Sequence, residues 1–201
     1  MLSFGTFSQK TEAVLEKGHI TLGLRSTTSV FGNDGVPGLG TGGHYRIQFL
    51  DKLSTEWFAD WITMDLKGAG TRANAHIGWS VLFYPKKMNR FTPYLMAGHC
   101  FDYARVTPLS TAFVDRSSEQ LERWSSAVQA GAGAHYFLSG RFNLTFAAQY
   151  MLHLGNHLDY DLQTVGNGYY LNTNATGSHE ESLEGHVLLT VSLNYRIADL
   201  W

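Results

Sequence analysis

The sequence predicts an all-β fold, an eight-stranded antiparallel up-and-down transmembrane β-barrel, on three observations. Apolar and polar residues alternate with a period of two over long stretches, these stretches number eight, and the links between them alternate between tight turns and longer loops. Successive strand residues point to opposite faces of a sheet, so this period marks a strand whose two faces meet unlike surroundings.

Gly18 to Val30 and Gly42 to Leu50 are the first two segments. In the third, Thr55 to Leu66, the residues Glu56, Phe58, Asp60, Ile62 and Met64 share one register, mixing charge with apolar bulk. Ala73 to Pro85 is cleaner, with Ala73, Ala75, Ile77, Trp79, Val81 and Phe83 opposite Asn74, His76 and Ser80. Phe91 to Val106 is the fifth segment, and His99 falls among its outward positions. A β-bulge, which moves the phase by one residue, is the expected reconciliation for the third and fifth segments.

Trp124 to Leu138 sets Trp124, Val128, Ala130, Ala132, Ala134 and Tyr136 against Gln129, Gly131, Gly133 and His135. Arg141 to Leu154 places Phe142, Leu144, Phe146, Ala148, Tyr150, Leu152 and Leu154 on one side and Asn143, Thr145, Gln149 and His153 on the other. The last segment, Leu183 to Ile197, opposes Val187, Leu189, Val191, Leu193 and Tyr195 to Glu184, His186, Thr190, Ser192, Asn194 and Arg196.

Tight turns are read near Asp51 to Ser54, Pro85 to Arg90 and Leu138 to Gly140, and longer links through Gly32 to Thr41, Pro108 to Leu121 and Gly155 to Ser182. The link near Lys67 to Thr71 is short for the long side. Short turns at one rim and longer loops at the other fit outer-membrane barrels, whose short turns face the periplasm. An even strand count puts both termini there. Several segments reach the ~9 to 11 residues that cross a bilayer at a tilt, against about 5 to 6 for globular strands. Aromatics gather toward strand ends, as interfacial girdles do.

Composition agrees. Charged residues make up 16% of the 201 residues, where soluble domains carry about a quarter. A net charge of -2 gives no basic footprint for nucleic acid. Cys100 is the only cysteine, which excludes an internal disulfide or a paired-thiol metal site and reads as a buried, inert thiol. No run approaches the ~20 apolar residues of a membrane-spanning helix. Met1 to Gly18 lacks the features of a secretory signal, so an export signal is expected to have been removed from this numbering. The expected division is a periplasmic segment, 1–17, and a barrel, 18–201, with no peptidoglycan-binding domain after Trp201.

The stretches "TEWFADWITMDL", "RFTPYLMAG" and "VLLTVSLNYRI", with the terminal aromatic Trp201, resemble small bacterial outer-membrane barrels of the outer-membrane-protein-A and outer-membrane-protein-X type, in the form found in Bacteroidota. The resemblance spans residues 18 to 201. It implies an outer-membrane location, contact with membrane lipid and lipopolysaccharide, and other envelope proteins as partners.

With the apolar face toward lipid, the same phase turns Arg25, Arg46, Glu56, Asp60, His76, Asp102, Gln129, Glu184, His186 and Arg196 into the lumen. An eight-stranded barrel is just wide enough for side chains to fill. These groups are therefore expected to pair with one another and block a wide pore. The nine histidines raise a metal site, but no H-x-x-x-H pair on a helix and no H-x-H pair on a strand occurs, and His19, His44, His76, His135, His153 and His186 are dispersed over the segments. No metal and no cofactor is expected. Neither G-x-S-x-G nor H-E-x-x-H occurs, so no catalytic residue is assigned. "GLGTGG" lacks the Lys and hydroxyl residue of a phosphate loop and reads as an external loop. The longest link reads as a solvated loop in which Tyr160, Tyr169 and Tyr170 are candidate contacts for a partner or glycan.

Four functions fit a barrel of this size. It can be a structural or partner-binding accessory subunit of an envelope assembly, a small channel or transporter, a soluble lipocalin-like binding protein, or a lipid-modifying enzyme. The first is favoured because the sequence supplies an anchor and loops without a reactive constellation. A lipocalin would need its apolar residues inside, so the direction of the apolar face separates it from the others.

Overall fold

The computed structural model describes residues 15–30, 36–88, 90–109, 120–155, 158, 160–166, 168–173 and 184–200, with only the backbone at Val165 and Glu184. The barrel strands are β1 (His19–Val30), β2 (Gly38–Leu50), β3 (Leu53–Asp65), β4 (Gly70–Phe83), β5 (Phe91–Pro108), β6 (Leu121–Phe137), β7 (Phe142–Leu154) and β10 (Glu184–Asp199). Each pairs antiparallel with its neighbours, and β1 pairs with β10 from His19↔Asp199 to Val30↔Val187, closing an eight-stranded barrel. Closure leaves no unpaired edge, the one sheet arrangement that hydrocarbon tolerates.

The rim that holds the chain ends also holds the short turns, and the other rim holds the loops. At the loop rim β3 and β4 meet in a tight turn from Leu66 to Ala69. Lys67 and Gly68 have φ of 54° and 76°, and the Ala69 amide donates to the Leu66 carbonyl at 3.0 Å. Two consecutive positive φ values make the primed turn whose twist suits a hairpin. The longest loop departs from the sequence expectation of a purely solvated link: β8 (Asp161–Val165) and β9 (Gly168–Asn172) form a separate hairpin.

The apolar face looks outward. Phe146, Leu189 and Trp79 are exposed on the barrel exterior while Arg25 is 5% exposed, so the polarity of a soluble calyx is excluded. Phe83, Phe91, Tyr136, Phe142 and Tyr195 ring the terminal rim, all exposed. Tyr103 and Trp124, with centroids 4.9 Å apart, lie toward the loop rim. Among the described residues, the outward Asp, Glu, Lys and Arg side chains of the strands lie near strand ends, as with Asp65, Arg105, Glu122 and Asp199.

Two expected bulges are corrected. The pairings of β3 with β4 and of β4 with β5 run without a shift. Phe58, Ile62 and Met64 simply point inward with Glu56 and Asp60, because a filled lumen needs apolar volume as well as charge. His99 points outward in phase and is held by the Ser126 hydroxyl on β6 at 2.5 Å, with Phe101 packed edge-on. The actual register shifts lie at Ile20/Thr21 and Gln48/Leu50, near the terminal rim.

An arginine placed in the lipid-facing belt tests this orientation. Leu24→Arg should cost about 2–4 kcal/mol at the bilayer midplane, read as a lowered unfolding midpoint in lipid vesicles.

Candidate functional site

The lumen is the part of this molecule where chemistry-bearing side chains converge, and its arrangement follows from register. Arg25 on β1 is the cross-strand partner of Gly42, which is in turn the partner of Asp60 on β3. A Cβ at Gly42 would collide with the Asp60 carboxylate. The missing side chain lets Arg25 reach across β2, where its Nη2 lies 3.1 Å from Asp60 Oδ2. Arg46 and Glu56 are direct partners, with Arg46 Nη2 at 2.5 Å and Nε at 3.0 Å from Glu56 Oε2. Glu56 Oε1 also accepts from Arg25 Nη1 at 3.1 Å, so one carboxylate bridges two guanidinium groups.

The network continues toward the terminal rim. Arg46 Nη1 lies 3.3 Å from His135 Nε2, which lies 3.2 Å from the Tyr84 hydroxyl. His135 Nδ1 is 2.7 Å from the Thr145 hydroxyl, which accepts from Asn194 at 2.7 Å. Gln129 donates to the Ser80 hydroxyl at 2.7 Å. All of these side chains are buried.

A second polar group lies nearer the loop rim. Asp102 on β5 is fully buried, and its Oδ2 accepts from Arg123 at 3.1 Å and from the Ser125 hydroxyl at 3.2 Å. Its two oxygens also face two imidazoles, His76 Nε2 at 3.2 Å and His153 Nδ1 at 3.0 Å. His186 joins them, its ring centroid 5.9 Å from that of His76 and 4.8 Å from that of His153. One ligand atom from each of the three histidines lies within 4.8 Å of the others, all three residues being buried.

Apolar clusters separate and cap the polar groups. Phe58, Ile62, Cys100, Ala127, Met151 and Leu188 pack in mid-lumen, and the Cys100 thiol lies 3.8 Å from the Met151 sulfur. At the loop rim Leu158 and Leu171 fold onto Met64, Leu66, Ala104 and Val106. At the terminal rim Leu15 packs on the cluster of Leu82, Tyr84, Tyr94 and Met96, and its carbonyl accepts from Lys87.

Of the lumen residues read from sequence, Arg25, Arg46, Glu56 and Asp60 form one ion-paired set, and His76, Asp102 and His186 come together in the other. Gln129 is buried in the lumen, where it meets Ser80. The side chain of Glu184 lies outside the described residues. Arg196 is corrected to a rim position: its side chain is 29% exposed and meets His19 at 3.0 Å and Asp199 at 3.9 Å. It lies too near the end of β10 to reach the enclosed layers. Tyr160 is half-buried, packs against the loop-rim cluster and accepts from Arg72 at 3.3 Å. Tyr169 is 45% exposed and lies over the Lys67 ammonium at 4.7 Å, while Tyr170 is half-buried.

Sequence reasoning put His135 and His153 on the polar face without counting them among the lumen groups, and it missed Arg72, Arg123 and His44. The signal existed: Arg72 has the parity of Asn74 and His76, and Arg123 that of Gln129, each one residue outside the segment that was read.

No protein-family profile and no curated protein sequence matches the chain. Solved structures do match. Neisserial surface protein A is similar over 89% of this chain and 96% of its own, at 12% identity and a TM-score of 0.54. OprG of Pseudomonas aeruginosa is similar over 90% and 97%, at 15% identity and a TM-score of 0.51. The N-terminal β-barrel domain of Pseudomonas aeruginosa OprF covers 89% and 98%, at 12% identity and a TM-score of 0.50. The fold is that of the small transmembrane eight-stranded barrels.

Removing the shared carboxylate should be severe. Glu56→Ala leaves Arg25 and Arg46 buried without it and should cost about 3–5 kcal/mol, read by urea unfolding in vesicles. Glu122→Gln near the exposed loop rim should change stability by less than about 0.5 kcal/mol.

Proposed function

We propose that this chain is a bacterial outer-membrane barrel, with both termini periplasmic, that serves as a structural or partner-binding accessory subunit of an envelope assembly. The observation that carries this reading is the filled lumen. Ion pairs cross it at Glu56 and Asp102, and apolar clusters cover it at both rims. A barrel filled in this way acts through what its exterior and loops present.

The outward belt with its aromatic girdles supports a bilayer location, and the pairing of short turns with the chain ends supports a periplasmic terminal rim. The β8–β9 hairpin would then stand on the outer face, within reach of lipopolysaccharide or of another envelope protein. Tyr169 is the candidate contact there, a large amphipathic ring already exposed. The N-terminal segment, residues 1–17, would lie in the periplasm, with Leu15 docked on the barrel.

Two measurements test the reading. In planar bilayers the folded chain should give no stepwise conductance, and reproducible steps that change when Glu56 or Arg46 is altered would replace it with the channel reading. In intact cells Tyr169→Cys should react with a membrane-impermeant maleimide while the buried Cys100 stays unlabelled. Labelling only after the outer membrane is permeabilised would reverse the orientation.

A further inference from the structure

We propose that His76, His153 and His186 form a binding site for one divalent transition-metal ion of the zinc type, enclosed in the loop-side part of the lumen. The three residues come from β4, β7 and β10, strands remote in sequence, and register brings them to one level of the barrel. Their donor atoms lie within 4.8 Å of one another. Imidazoles around tetrahedral zinc bind at about 2.0–2.1 Å, which sets their nitrogens about 3.4 Å apart. Binding would therefore draw the rings together by up to about 1.4 Å from where they stand.

Two further observations point to an ion rather than to three packed rings. Asp102 touches one nitrogen of His76 and one of His153. Beyond these ion-pair contacts with Asp102, all four ring nitrogens, His76 Nδ1 and Nε2 and His153 Nδ1 and Nε2, are buried without a hydrogen-bond partner among the described residues. Metal-ligating histidines characteristically turn one ring nitrogen to a carboxylate, which fixes the tautomer and leaves the other nitrogen's lone pair for the ion. Asp102 is placed for that role toward both rings. Unpartnered polar atoms are costly in a dry interior, and a metal would satisfy the nitrogen that each ring turns away from Asp102.

Two carboxylates border the site. Asp60 on β3 and Asp102 on β5 are the cross-strand partners of His76 on either side, so the ion would sit beside two carboxylates. Arg25 and Arg123 already share them, which keeps each carboxylate fixed. Nitrogen-rich ligation favours zinc, copper or nickel over magnesium or calcium, which prefer oxygen. Asp102 is a positioning residue in this scheme, and the three imidazoles are the ligands.

The test uses the full chain without an affinity tag, treated with chelator and refolded in detergent, its folded state checked by heat-modifiable gel mobility. Titration with Zn2+ alone should show one saturable equivalent, and Co2+ should give the intense visible absorption of a tetrahedral site. His76→Gln, His153→Gln and His186→Gln should each weaken binding at least tenfold. Asp102→Asn should weaken it by about 10- to 100-fold. His135→Gln, a buried lumen histidine outside the cluster, should bind as the unaltered chain does. On the unaltered chain, refolding with Zn2+ should also shift the ring nitrogen resonances of these three histidines and leave those of His135 in place, a readout that does not depend on any variant folding. Lack of saturable binding by the folded chain, full binding by a folded His76→Gln or His186→Gln variant, or histidine ring resonances unmoved by Zn2+ would overturn the proposal.

Discussion

Everything in this molecule depends on the pairing of β1 with β10. Twelve residues of β1 find partners on β10, and with that seam closed every strand has two neighbours. In hydrocarbon no water replaces a missing strand, and each unpaired amide or carbonyl costs several kcal/mol. Closure also separates an inside from an outside, and the period-two sequence then assigns each side chain to one or the other. A slip of one residue at any seam would turn a run such as Val187, Leu189 and Val191 inward and expose His186 and Thr190 to lipid.

The inverted polarity has a consequence for the interior. Charges shut inside a narrow barrel cannot borrow water, so each needs a partner of opposite sign or a hydrogen bond. Glu56 between two arginines and Asp102 beside Arg123, His76 and His153 are the solutions found here. Gly42 shows how backbone choice serves side-chain chemistry, because an absent Cβ is what allows Arg25 to span a strand and meet Asp60. The apolar clusters do complementary work. They fill the space that polar groups leave and divide the lumen into layers, with the β8–β9 loop above and Leu15 below.

The same layering makes the histidine cluster chemically distinct. His135 is also buried, yet its nitrogens meet Arg46, Tyr84 and Thr145, which satisfy the ring completely. His76 and His153 have a carboxylate on one side and unpartnered nitrogen on the other. Burial alone therefore does not mark a ligand; the direction in which the lone pair is left open does.

The sequence by itself determined the strand count, the approximate strand limits and the face on which most side chains lie, because alternation is a local property written residue by residue. Phe146 and Leu189 outside, Arg25 and Glu56 inside, were legible in this way. It did not determine the phase of mixed segments: Phe58 and His99 each needed a neighbour, the lumen volume in one case and Ser126 in the other, to make sense of their side. Nor did it reveal the β8–β9 hairpin, which folds against residues of the barrel mouth. The meeting of His76, His153 and His186 was decided only by tertiary structure, since closure of the sheet and the register of four strand pairs bring together residues separated by as much as 110 positions, and no spacing rule encodes a distance set by the width of a barrel.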